Sequence, residues 1–136
     1  MKTLIGKVTA ILFTFTILFG SYGAAEAKTT VVKKKPTVVL IKADWCGACQ
    51  KVDPIIKSLR KDYGSKMNFV VLDVTDEASE ARSARIAKRN GLSSFFKKNK
   101  RKTSTVAVFN KKGKVFHTAK NYSRSAYVRA FKKALK

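Results

Sequence analysis

Ala43-Asp44-Trp45-Cys46-Gly47-Ala48-Cys49 stands at the junction of two patterns and holds the only two cysteines of the chain. Before it, Thr37-Val38-Val39-Leu40-Ile41-Lys42-Ala43 is an almost unbroken apolar, β-branched run. That is the signature of a strand buried on both faces of a central sheet. After it, Val52, Ile55, Ile56, Leu59 and Tyr63 recur on one helical face, with Lys51, Lys57, Arg60 and Lys61 on the others. The spacing predicts a helix over 47–63, closed by Gly64 and kinked at Pro54, whose ring removes one backbone bond. A Cys-x-x-Cys pair at such a junction presents one thiol at the helix N-terminus and the other a turn further on, close enough for a disulfide.

The rest of the chain reads outward from there. Met67–Asp73 is a second buried strand. Asp76 caps a helix from Glu77 to Asn90 that Gly91 ends, with an apolar side expected from its alanines and Ile86. Leu92–Lys100 is a short helix anchored by Leu92, Phe95 and Phe96. Thr103–Phe109 and Lys114–Ala119 are strands joined by the turn Asn110-Lys111-Lys112-Gly113. The last helix starts at Asn121 or Ser123 and runs to Lys136, with Val128, Phe131 and Leu135 facing inward. The order β-α-β-α-β-β-α predicts an α/β fold in which right-handed crossovers join parallel strands and a hairpin adds an antiparallel pair.

The N-terminus has the layout of a secretory signal peptide over 1–27. Lys2 and Lys7 precede an apolar run, Val8–Phe19, and Ala25-Glu26-Ala27 supplies a small-x-small cleavage site. An uncleaved anchor is the alternative, but spanning takes about 20 apolar residues. Residues 28–36 form a basic leader, in which Thr30-Val31-Val32 could add a short edge strand, and 37–136 form the domain. The 136 residues carry 30 Lys+Arg against 8 Asp+Glu, a net charge of +22. That charge favours anionic partners and salt-sensitive association. Export to the periplasm, the cell exterior or a lumen removes most nucleic-acid roles, and no nucleic-acid partner is expected.

Trp45-Cys46-Gly47-Ala48-Cys49, Pro54 five residues beyond the second cysteine, and the hairpin Val106–Gly113 together resemble the thioredoxin-fold family. The resemblance covers about residues 37–136. It implies a three-layer α/β/α sandwich around a mixed sheet of about four strands. It also implies a thiol–disulfide oxidoreductase with no metal and no cofactor. Cys46 would be the nucleophile and Cys49 the resolving thiol of a redox disulfide, with Trp45, Gly47, Ala48, Pro54, Thr103 and Ser104 as neighbours. Three departures stand out. Ser104 occupies the family's cis-proline position, and a trans Thr103–Ser104 bond is expected because a cis bond there costs about 3 kcal/mol. Leu40 stands where classical members bury an Asp, and Val71 or Leu72 where its Lys partner would be. The segment between Ala27 and Thr37 is too short for the family's full N-terminal strand–helix unit.

The implied chemistry needs a thiolate at Cys46, and a helix N-terminus lowers a thiol pKa below its free value of about 8.5. Small Gly47 and Ala48 should leave that sulfur open, and Trp45 should shield one side. The run Lys97-Lys98-Asn99-Lys100-Arg101-Lys102 is expected to bring positive charge near Cys46 and to steer acidic protein substrates. Lys42 should reach solvent at the strand end, Asp44 is a surface charge, and His117 is an ordinary strand residue. A purely structural Cys46–Cys49 bridge closes too little chain to add much stability. Zinc asks for four ligands, which two cysteines and a distant His117 do not supply. The alternative function is a non-enzymatic module that binds an acidic partner or copper(I) through the two thiolates. As an enzyme, the protein would be a monomer exchanging disulfides with protein substrates, with a membrane thiol-electron carrier as a further partner.

Overall fold

The computed structural model describes residues 35–119 and 122–136, without the side chains of 116–119. The signal peptide, most of the leader with its Thr30-Val31-Val32 strand, Asn121 and the His117 side chain lie outside what is described. The elements are β1 (Thr37–Lys42), α1 (Gly47–Tyr63), β2 (Asn68–Asp73), α2 (Glu77–Arg89), α3 (Ser93–Asn99), β3 (Thr105–Phe109), β4 (Val115–Ala119) and α4 (Arg124–Leu135). The expected order holds, and the short helix expected over 92–100 is present as α3 beside α2 in the crossover between β2 and β3.

The strands form one mixed sheet in the order β2-β1-β3-β4. β1 pairs parallel with β2 and antiparallel with β3, and β3 pairs antiparallel with β4. The unbroken apolar character of β1 follows from this central place. Val38 and Leu40 pack with Val52, Ile56 and Leu59 of α1 and Tyr127 and Phe131 of α4. Val39 and Ile41 pack on the other face with Ala87, Leu92 and Phe96. The sheet is thus enclosed between an α1/α4 layer and an α2/α3 layer, the sandwich that the resemblance implied.

Two helices bury different residues from those expected. In α2 the buried stripe is Ser79, Ser83 and Ala87, while Ala78, Ala81 and Ala84 face solvent. Ser83 can be buried because its hydroxyl donates to the Asp73 carbonyl at 2.7 Å. In α4 the buried set is Tyr127, Ala130, Phe131 and Ala134, with Val128 and Leu135 only partly covered. Phe131 meets the rings of Tyr63 and Phe69 edge-on at 5.3 and 5.8 Å.

The ends of these elements have local causes. Asp76 caps α2 by accepting from the Ser79 amide at 2.6 Å. Gly91 follows α2 with φ +69, a conformation that favours glycine. Gly64 caps α1 with an ordinary right-handed φ of −61; there glycine supplies room, since a Cβ would come within 2.6 Å of the Arg60 carbonyl oxygen. β3 begins at Thr105 rather than Thr103 because Ser104 has φ +59 and breaks the extended chain.

Candidate active site

β1 ends at Lys42, and the chain turns through 43–46 into α1. Cys46 is the N-cap of α1, in extended conformation. Its Sγ accepts from the Cys49 amide at 3.1 Å, and the same amide donates to the Cys46 carbonyl at 2.9 Å. The two cysteines are joined as a disulfide with Cα atoms 5.2 Å apart. Their pairing and their place at the start of α1 are as expected, but Cys46 is not open. It is 7% exposed against 4% for Cys49. The two packed sulfurs share a cluster with Ala43, Ala48 and Val74, and in a disulfide each sulfur covers the other. Gly47 is exposed and nothing lies within 4 Å of where its Cβ would be.

The turn into the helix is held by Thr75, a residue that no sequence pattern singles out. The Asp44 amide donates to Thr75 Oγ1 at 2.9 Å, and the Trp45 indole N–H donates to the Thr75 carbonyl at 3.0 Å. Thr75 is itself fixed by Asp73, whose Oδ1 accepts from the Thr75 amide at 2.9 Å and from its hydroxyl at 2.5 Å. Trp45 is therefore tethered to the loop after β2 and stays 66% exposed, outside the apolar cluster around the sulfurs. It flanks the pair rather than covering it.

Lys42 does not extend freely into solvent. Its Nζ lies 3.2 Å from Asp44 and 3.6 Å from Asp73, and its side chain is 26% exposed. The bond to Asp44 raises its pKa above the ordinary lysine value, against the opposing effect of burial; Asp73 adds to the rise. Burial alone would push the Asp73 carboxyl up, but the Thr75 hydroxyl and amide, with Lys42, hold it below the usual carboxylate range. Asp44 is the surface charge expected, with a partner. A small recess of about 120 Å³ opens behind the pair, lined by Lys42, Ala43, Asp44, Cys49, Gln50 and Asp53. Asp53 lies four residues after Cys49 and pairs with Lys57 at 2.8 Å. Its place one turn beyond Cys49 was the only sequence signal that could have found it.

Leu40 is buried in the apolar cluster of the α1/α4 face, and Leu72 in that of the α2/α3 face. An ion pair nevertheless exists one step further along the same strands, since Lys42 and Asp73 are direct register partners. Pro54 sits inside α1 as expected. Ser104 follows half-buried Thr103 and lies just beyond the last β1–β3 pair, Ile41 with Thr105, at the sheet end from which the cysteine turn departs. No cis peptide bond occurs among the described residues, so the Thr103–Ser104 bond is trans. Ser104 is buried and its hydroxyl has no hydrogen-bond partner. Within the lysine run, Lys100 pairs with Glu80, and Lys97 and Lys100 line a groove on α2 and α3. Among the described residues no three His, Cys, Asp or Glu side chains gather as a metal site.

The thioredoxin family model matches residues 22–121. The chain belongs to the thioredoxin family. A thiol:disulfide interchange protein (TxlA homolog) of Synechocystis sp. is 41% identical over 51 residues, 38% of this chain and 28% of that protein. A thioredoxin H-type of Chlamydomonas reinhardtii is 36% identical over 72 residues, 52% of this chain and 64% of that one. The chain thus spans less than two thirds of either relative. The crystal structure of a thioredoxin-family thiol:disulfide interchange protein from Chlorobium tepidum superposes with a TM-score of 0.54 at 20% identity, over 76% of this chain and 82% of that one. That likeness is one of fold. Within this thioredoxin fold, the Cys49 amide that now bonds Cys46 Sγ is placed to donate to a thiolate once the disulfide opens.

Proposed function

We propose that the protein is an exported thiol–disulfide oxidoreductase acting on protein substrates. The observation that carries this reading is the Cys46–Cys49 disulfide at the N-terminus of α1. In the reducing direction, the Cys46 thiolate attacks a substrate disulfide, one substrate sulfur leaves as a thiolate, and a mixed disulfide forms. Cys49 then attacks Cys46, the internal disulfide closes, and the second substrate sulfur is released. Two electrons pass from the pair to the substrate; the oxidising direction is the reverse. Trp45, Gly47, Ala48, Pro54, Thr103 and Ser104 frame the reacting sulfurs.

Export rests on Lys2, Lys7, the apolar run and Ala25-Glu26-Ala27. The net charge of +22 favours acidic substrates, with association weakening as salt rises. A monomer recharged by a membrane thiol carrier completes the reading. Cys46→Ser is expected to abolish insulin reduction, and Cys49→Ser to trap mixed disulfides. Undiminished turnover in Cys46→Ser would overturn the assignment. The direction of electron flow is read from the reduction potential of the pair: about −270 mV marks a reductant and about −120 mV an oxidant.

A further inference from the structure

Acidic residues are scarce in this chain, 8 against 30 basic ones. Three of them nevertheless gather around Lys42, behind Cys49. Asp44 and Asp73 pair with its ammonium, and Asp53 shares with it the recess that reaches Cys49. The recess is small, polar and large enough for bridging water.

The chemistry gives such a recess a task. Cys49 is only 4% exposed, and an apolar setting keeps a thiol protonated. It must lose that proton before it can attack the mixed disulfide. Leu40, buried in the apolar cluster of the α1/α4 face, offers no side-chain acceptor. The three carboxylates are not equivalent. Asp73 accepts two bonds from Thr75, pairs with Lys42 and does not line the recess. Asp44 is bound to Lys42 and is the most exposed of the three. Asp53 is 23% exposed, lies one turn beyond Cys49 on the same helix, and among the described residues forms one ion pair, with the exposed Lys57.

We propose that Asp53 accepts the Cys49 proton, through water in this recess, as the mixed disulfide is resolved. The proposal rests on the thiol–disulfide reading above. The proton leaves Cys49 Sγ for water, and that water gives a proton to the Asp53 carboxylate. The Cys49 sulfur attacks Cys46 Sγ; the Cys46–Cys49 bond forms and the bond from Cys46 to the substrate sulfur breaks. The electron pair leaves with the substrate thiolate, and Asp53 returns its proton to solvent. The charged groups around Asp53 are Lys42 from β1, Asp44 from the turn, Asp73 from β2 through Lys42, and Lys57 from α1. Lys42 keeps its charge across the neutral range because its pKa is raised.

The test is single-turnover reduction of a disulfide substrate by the full chain and by Asp53→Asn, with formation and decay of the mixed disulfide followed separately. Formation is expected to be unchanged, as is the pH profile of Cys46 alkylation. Decay is expected to slow about a hundredfold at neutral pH. The decay rate of Asp53→Asn should climb about tenfold per pH unit as hydroxide replaces the carboxylate, a steeper rise than that of the wild type. Asp53→Glu should restore most of the rate, which a merely structural role would not require. Decay in Asp53→Asn within about twofold of wild type from about pH 6 to about pH 9 overturns the proposal. Failure of the wild type to form any mixed disulfide overturns the underlying reading instead, and the two failures are distinct.

Discussion

Two segments meet at the end of the sheet where the cysteines lie, and they are built in opposite ways. The turn 43–46 is pinned at every step: Cys46 N–H to the Ala43 carbonyl at 3.1 Å, the Asp44 amide to the Thr75 hydroxyl, and the Trp45 indole to the Thr75 carbonyl. The segment 103–104 carries a left-handed serine with a buried hydroxyl that nothing satisfies. One segment fixes the sulfurs by redundancy; the other is kept in an unfavourable conformation by what surrounds it. The difference teaches that the site's geometry depends on the Thr75 side and tolerates tension on the Ser104 side.

Removing the Thr75 hydroxyl should have the larger effect. Thr75→Val deletes one bond to a carboxylate and one from the Asp44 amide, and is expected to cost about 2 kcal/mol in urea unfolding. An unchanged midpoint would show that the turn does not depend on this latch. Ser104→Gly should act in the opposite sense. Glycine adopts φ +59 freely and carries no unpaired hydroxyl, so the same assay should show a gain of about 1 kcal/mol. A loss would show that the serine side chain stabilises the folded protein.

The smallest effect is a pH dependence. Asp73 has a folded pKa below its unfolded value, so its contribution is present above the ordinary carboxylate range and is lost as pH falls through the lowered value. Lys42, raised, contributes below the ordinary lysine range and loses that contribution as pH rises through its folded value. Stability from this pair is therefore level through neutral pH. Asp73→Asn should flatten the acid limb of a urea-midpoint profile and diminish the alkaline one. An acid limb identical to wild type would assign it to other carboxylates.

The fold was legible because its signals were redundant. The run Thr37–Ala43, the stripe Val52–Tyr63 and the cysteine spacing all required the same strand–turn–helix. What escaped the sequence were polar groups satisfied only by tertiary partners. Ser79 and Ser83 count as polar until the Asp73 carbonyl is seen to accept from Ser83. Lys42 looked solvent-bound because its partner Asp73 is set by strand register, not by proximity in the chain. Tyr127 was passed over in favour of Val128, its neighbour on α4, although Tyr127 is the one fully buried. The cysteines themselves were evident, but the burial of Cys46 depends on Ala43 and Val74 from neighbouring segments, which spacing does not reveal.

Pro54 gives the site a mechanical property. Without an N–H it cannot close the bond back to the carbonyl of Gln50, so one rung is missing from α1 between the cysteine-bearing turn and the rest of the helix. Fewer backbone bonds therefore join the cysteine-bearing turn to the part of α1 that Ile56 and Leu59 seat in the core.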